Sequence, residues 1–190
     1  LSLKDHKGER IIDVNEKDAY QQGTAFMMSA ENGHLHVVDR LLSLKDDKGE
    51  RIINVNEKDD FKRTAFMLSA EEGHLDVVDR LLSLQDDKGE RIIDVNEKDN
   101  DQRTAFMLCA KNGHFDVVDT LLSLVDEDKH FMVDISAKDK DGCNAAMLAA
   151  GAGKIAVAER IQSVFISQIS RLTLRRALSY LDSLNLGSFS

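Results

Sequence analysis

Four glycines, Gly33, Gly73, Gly113 and Gly153, stand 40 residues apart, and each lies between two apolar blocks that recur with it. The block before reads Thr24-Ala-Phe-Met-Met-Ser-Ala30, Thr64-Ala-Phe-Met-Leu-Ser-Ala70, Thr104-Ala-Phe-Met-Leu-Cys-Ala110 and, more loosely, Asn144-Ala-Ala-Met-Leu-Ala-Ala150. The block after begins His34-Leu-His-Val-Val-Asp-Arg-Leu-Leu42, with copies from His74, His114 and Lys154. A sequence that repeats at one fixed period builds like units, each touching only its neighbours.

Each unit reads as two short helices. Thr24, Thr64 and Thr104 suit the N-cap, where a hydroxyl accepts an otherwise unpaired backbone N–H. The six residues that follow are apolar nearly all round, so the first helix is expected to be buried. The glycine supplies the left-handed residue that ends it. In the second helix Leu35, Val38, Leu41 and Leu42 fall at helical spacing, with Asp39 and Arg40 on another side. Neither helix is long enough to be stable alone, so each must stack on the next copy. Between helix pairs runs a segment such as Lys45-Asp-Asp-Lys-Gly-Glu-Arg-Ile-Ile-Asn-Val-Asn56. Lys48-Gly49 signals a turn, and Ile52, Ile53 and Val55 favour extended chain, so the segment reads as a β-hairpin finger. The isoleucine pair recurs at Ile11-Ile12 and Ile92-Ile93; the other reading is a charged loop.

The pattern of a Thr-initiated helix, Gly-His, Val-Val, Leu-Leu and Asp-Val-Asn resembles the ankyrin repeat over roughly residues 10–165. The resemblance implies an α-solenoid of stacked helix-turn-helix units joined by extended β-hairpins, and a role in protein binding. Two departures stand out. Where the family has Pro-Leu-His, this chain has Ala25-Phe26-Met27, Ala65-Phe66-Met67 and Ala105-Phe106-Met107, and there is no proline at all. Methionine packing is expected to substitute, with Met27, Met67, Met107 and Met147 as a periodic core set. The period is also longer than the usual unit by about seven residues, which the Asp-Lys-Gly-Glu-Arg region absorbs as a longer hairpin.

The expected boundaries are a tail of a preceding repeat over 1–17, repeats over 18–58, 59–98, 99–138 and 139–167, and a capping helix over 168–190. Leu1-Ser2-Leu3 matches Leu42-Ser43-Leu44, so the chain begins in mid-repeat. In the C-terminal stretch Ile166, Ile169, Leu172, Leu178, Leu181 and Leu184 recur at helical spacing, with Arg171, Arg175, Arg176 and Asp182 between them. A cap that closes the core is one reading; a basic amphipathic helix for a membrane or partner is the other.

Charge narrows the function. Residues 1–150 hold 20 Lys/Arg against 32 Asp/Glu, hence −12, whereas 151–190 hold 5 against 2, hence +3. An acidic body lacks the basic stripe that nucleic acid requires, and it tolerates a protein partner with a basic segment. No run of eighteen apolar residues suggests a membrane span. Two cysteines, Cys109 and Cys143, fit a reducing intracellular setting, taken here as cytoplasmic. A monomer is expected.

No phosphate loop, dinucleotide fingerprint, nucleophile elbow or His-Glu-x-x-His is present. Asp139-Lys-Asp141-Gly142 resembles part of a calcium loop, but the closing position holds Leu148. His34, His74 and His114 recur once per unit; copies roughly 10 Å apart are too distant to share a metal, so they read as structural. Cys109 reads as a packed thiol. The expectation is therefore a non-enzymatic module with no metal and no cofactor. The alternative is the targeting arm of a larger enzyme, or a secreted microbial effector, whose catalytic part lies elsewhere.

Internal comparison locates the expected binding site. Asp46–Ile53 recurs unchanged at Asp86–Ile93, while two short stretches vary. One is the turn before the first helix: Ala19-Tyr20-Gln21-Gln22, Asp60-Phe61-Lys62 and Asn100-Asp101-Gln102. The other is the end of that helix: Glu31-Asn32, Glu71-Glu72 and Lys111-Asn112. The resemblance places both on the concave face. The site is accordingly assigned to Tyr20, Gln22, Asp60, Phe61, Lys62, Arg63, Glu71, Glu72, Asp101, Arg103, Lys111 and Asn112. Tyr20 and Phe61 would anchor the partner, and Asp60, Glu71 and Glu72 would favour a basic one. The unchanging fingers suggest a second idea, that they associate side by side into a stiffening edge.

Overall fold

The computed structural model describes residues 13–126, 130–168 and 170. Seven helices have defined ends: α1 Ala25–Glu31, α2 Leu35–Leu42, α3 Ala65–Glu71, α4 Leu75–Leu82, α5 Ala105–Asn112, α6 Phe115–Ser123 and α7 Ala145–Gly151. An eighth, α8, runs over 155–168. They pair as four units. The expected tail of a preceding repeat falls mostly outside the described residues, as does most of the expected 168–190 cap.

Local chemistry sets each unit. Thr24, Thr64 and Thr104 accept the backbone N–H of Met27, Met67 and Met107 at 3.3, 3.3 and 3.4 Å, and Asn144 accepts that of Met147 at 3.0 Å. The three threonines are the N-caps read from the sequence, and Asn144 is a fourth that the structure adds. After each first helix the chain reverses at Gly33, Gly73, Gly113 and Gly153, whose φ values of 68°, 80°, 87° and 74° lie in the left-handed region.

The reversal also fixes the stacking. A Cβ on Gly33 would lie 2.5 Å from Nδ1 of His74, and one on Gly73 would lie 2.3 Å from Nδ1 of His114; Lys154 packs on Gly113 in the same way. His74 Nε2 is also 2.9 Å from the Glu31 carbonyl oxygen. His74 and His114 are structural because each ring packs against the bare glycine backbone of the preceding unit. Only glycine admits that approach.

Helices α3 and α5 are buried at every described position from Ala65 to Ala70 and from Ala105 to Ala110. The first helices form the tight row, while α2, α4 and α6 touch one another more sparsely. Closer spacing on one side of a stack bends it, so the first helices lie on the inside of the curve. The second helices bury one stripe, Val77, Val78, Leu81 and Leu82 in α4, and leave their other side to water. There Arg80 pairs with Asp39 at 2.5 Å and Arg160 with Asp119 at 2.6 Å, each across one unit.

The connection between units makes two closed loops in succession. In the first, Asp46 Oδ1 accepts the N–H groups of Lys48 and Glu50, and antiparallel pairing is confined to one bridge, Lys45↔Arg51. The bridges Gln85↔Arg91 and Val125↔Phe131 repeat it. A carboxylate that closes the loop within five residues leaves little chain to extend the hairpin. Neighbouring connections are joined at their bases. Asn15, Asn56 and Asn96 donate side-chain N–H groups to the carbonyls of Ile52, Ile92 and Met132, at 2.9, 3.0 and 2.7 Å.

One core expectation fails. Met27, Met67 and Met107 are each 1% exposed, but Met147 is 55% exposed. The three buried methionines are covered by the next first helix, and no such helix follows α7 among the described residues.

Candidate functional site

The second loop of each connection, Asp18–Gly23, Asp59–Arg63, Asp99–Arg103 and Asp139–Cys143, enters the first helix. An aspartate organises it, buried at Asp59, Asp99 and Asp139 and partly exposed at Asp18. Asp59 Oδ1 accepts the N–H of Phe61 at 2.9 Å and of Arg63 at 2.7 Å, and the loop closes from Asp59 N–H to the Arg63 carbonyl at 3.1 Å. Asp99 does the same for Asp101 and Arg103, and Asp139 for Asp141 and Cys143. This frame holds Lys62 and Gln102 at φ 61°, a conformation that costs a side-chain-bearing residue about 1–2 kcal/mol. The fourth loop has Gly142 there. The loops also link along the array. Asp60, Asn100 and Lys140 donate backbone N–H groups to the carbonyls of Gln21, Phe61 and Asp101 at 3.0, 2.9 and 3.0 Å.

The first loop is one residue longer, with six steps from Asp18 to Thr24 against five from Asp59 to Thr64. The extra residue pushes the tip outward, and Tyr20 is 88% exposed. Gln22, at φ 56°, donates its side-chain N–H to the Asp18 carbonyl. The N–H groups of Gln21 and Tyr20 hold the Asp18 carboxyl below its ordinary range.

Arg63 ties the expected site together. Its guanidinium donates to Asp59 at 2.9 Å and to the Gln21 side chain at 3.2 Å, and lies 3.6 Å from Glu71. It also stands over the Phe61 ring, 5.1 Å from the centroid, where a guanidinium meets the ring's negative face. Phe61 remains 49% exposed. The turn and the helix end of the second unit therefore form one continuous surface. Burial raises the Glu71 carboxyl above its ordinary value, and the Arg63 charge opposes the rise. Glu72, Asp60 and Lys62 are exposed.

The third unit differs. Arg103 pairs with Asp101 at 3.1 Å and reaches toward Asp139 of the next loop at 4.0 Å. Lys140 pairs with Asp101 and, with Arg103, holds that carboxyl below its ordinary range. Asn112 donates to the Glu71 carbonyl at 2.8 Å and so joins two helix ends, while Lys111 is exposed. Twelve residues were thus expected. Phe61, Arg63 and Glu71 come together, Asp101 with Arg103 forms a second group, and Tyr20 stands apart at the end.

Sequence reasoning missed Gln21 and Lys140, which complete these two groups. It also missed the aspartates beneath them, whose recurrence in the same place in every unit is the signal that could have found them. Among the described residues no group of three His, Cys, Asp or Glu is placed to hold a metal ion, and no helix is long and apolar enough to cross a membrane. Cys109 is buried and its thiol is pushed far up by desolvation.

A family model described as ankyrin repeats matches the chain three times, over residues 5–92, 26–132 and 84–167. A search of curated proteins finds no match.

Proposed function

The chain belongs to the ankyrin-repeat family, whose repeats are in general protein–protein interaction modules, and from that premise we propose that it grips a protein partner on its inner, concave face. The observation that carries this reading is the pairing of a hydrogen-bonded loop frame with aromatic side chains that the frame does not bury. Tyr20 and Phe61 are exposed although their own backbone N–H groups are held by Asp18 and Asp59. Aromatic groups held rigid at low entropic cost are strong interface anchors. The acids beside them, Asp60, Glu71 and Glu72, favour a partner segment that carries lysine or arginine, with its aliphatic stem on Phe61 and its charge toward Glu71 and Glu72.

The test takes the protein captured most strongly by the intact array and measures its affinity by calorimetry. Replacing Tyr20, Phe61 and Arg103 together by alanine is expected to weaken it at least a hundredfold, since anchor residues carry about 2 kcal/mol or more each. Reversing Glu72 to lysine is expected to steepen the loss at low salt and not at high salt. Unchanged affinity in the triple variant, with the fold intact by circular dichroism, would remove the concave face from consideration.

A further inference from the structure

At the C-terminal end of the stack the last unit is only partly adapted to water. Ala146 stands where Phe26, Phe66 and Phe106 are buried, and Gln162 where Leu42, Leu82 and Leu122 are buried. Other apolar groups are retained. Met147 is exposed, and on α8 Ile155 is 56% and Ile166 63% exposed. Helix α8 buries Val157, Ala158, Ile161 and Val164 against the core. Ile155, Glu159, Gln162 and Ile166, at steps of four, three and four, share the opposite side. Glu159, in the middle of that strip, has no ion pair among the described residues.

We propose that residues 171–190 of this same chain fold back on this end and cover Met147 and the Ile155–Ile166 strip. Three points favour that occupant. The segment follows directly on α8, so it is tethered beside the patch at an effective concentration on the order of millimolar. Its leucines, Leu174, Leu178, Leu181 and Leu184, fall at steps of four, three and three, the spacing of one apolar helical side. Its charge complements the strip, with Arg171, Arg175 and Arg176 available to Glu159. A second copy of the chain is disfavoured by size. Three exposed apolar side chains fall well short of the about 800 Å² per partner that a stable interface buries.

Methionine oxidation by dilute hydrogen peroxide, mapped by peptide mass spectrometry on the full chain, tests this. Met28, 50% exposed, is the accessible reference, and Met27, Met67 and Met107 are the buried ones. Met147 is expected to oxidise several-fold more slowly than Met28. In Leu178→Glu/Leu181→Glu it is expected to match Met28 while Met67 stays protected. If the double substitution loosens the stack, which oxidation of Met67 would reveal, Glu159→Arg replaces it and is expected to raise the Met147 rate by repelling the arginines. Equal rates for Met147 and Met28 in the unsubstituted chain would overturn the proposal. So would protection that survives the substitutions, or protection that grows with protein concentration, which would mark a second copy.

Discussion

The contact between glycine and histidine can be isolated by substitution. Gly73 has φ 80°, and an added Cβ would lie 2.3 Å from Nδ1 and 2.6 Å from Cγ of His114. Two costs follow for Gly73→Ala. The left-handed backbone costs an alanine about 1–2 kcal/mol. Displacing a packed ring costs about 1–3 kcal/mol more, as other overpacked cores do. Gly153 has φ 74° with nothing within 4 Å of its added Cβ, so Gly153→Ala carries the first cost alone. A double-mutant cycle with His114→Ala separates the two at one site, because removing the ring leaves only the backbone term. Urea unfolding followed by far-UV circular dichroism reads each variant. Gly73→Ala is expected to cost about 2–5 kcal/mol with His114 present and about 1–2 kcal/mol without it. A coupling energy within about 0.5 kcal/mol of zero would refute the claim that the bare glycine exists to seat the ring.

Two further outcomes follow from the electrostatics. Arg80 and Arg160 pair across units with Asp39 and Asp119, but the corresponding position opposite Asp79 is Thr120. Thr120→Arg should complete the series and raise stability by about 0.2–1 kcal/mol at low salt, with the gain lost near 1 M salt; no gain at low salt would refute the ladder. Burial raises the Glu71 carboxyl in the folded chain, so the folded state holds the proton more tightly than the unfolded one. Stability attributable to Glu71 is therefore complete below the ordinary value of 4.5 and falls as pH rises through the raised one. Glu71→Gln should flatten that fall and be more stable than the parent at neutral pH and not at pH below the ordinary value, as read by thermal unfolding; a parent that gains stability over the same rise in pH would reverse the sign.

What the sequence made legible was whatever each unit settles within itself. Thr24, Thr64 and Thr104 announce helix starts because a cap bond spans three residues, and Gly33 to Gly153 announce helix ends because a left-handed residue is a local demand. Interactions between units were less readable. His74 could be called structural, but nothing in its neighbours reveals that it lies on Gly33 of the preceding unit. The asparagines that bind the connections at their bases act across 36 or 37 residues and look like ordinary loop residues. The isoleucine pairs suggested a longer hairpin than the single bridge found at Lys45↔Arg51, since hydrophobic pattern alone does not show that Asp46 closes the loop so early. Met147 was misread for a related reason: its burial belongs to a neighbour that follows it, and no first helix follows α7 among the described residues. At the candidate site, Tyr20, Phe61 and Arg63 were visible as variable or aromatic turn residues, whereas their Gln21 and Asp59 partners were not.

The loop frame explains why variation gathers where it does. Asp60, Asn100 and Lys140 support the neighbouring loop with a backbone N–H, and Gln21, Phe61 and Asp101 receive it with a backbone carbonyl. The bonds themselves need no particular side chain at those positions, although three side-chain contacts there also cross units: Asn100 to the Asp60 carbonyl, Arg63 to Gln21 and Lys140 to Asp101. Asp59, Asp99 and Asp139 have no such freedom, since their carboxylates satisfy two backbone N–H groups in a nearly buried setting, where an unmet donor costs about 1–3 kcal/mol. Along this edge the chain therefore alternates residues that the fold requires with residues that it leaves open. A stack whose loop edge is held by main-chain bonds can exchange Phe61 for Asp101 or Asp141 from one unit to the next without unsettling its core. That independence lets a single repeating frame carry a surface that differs at every step.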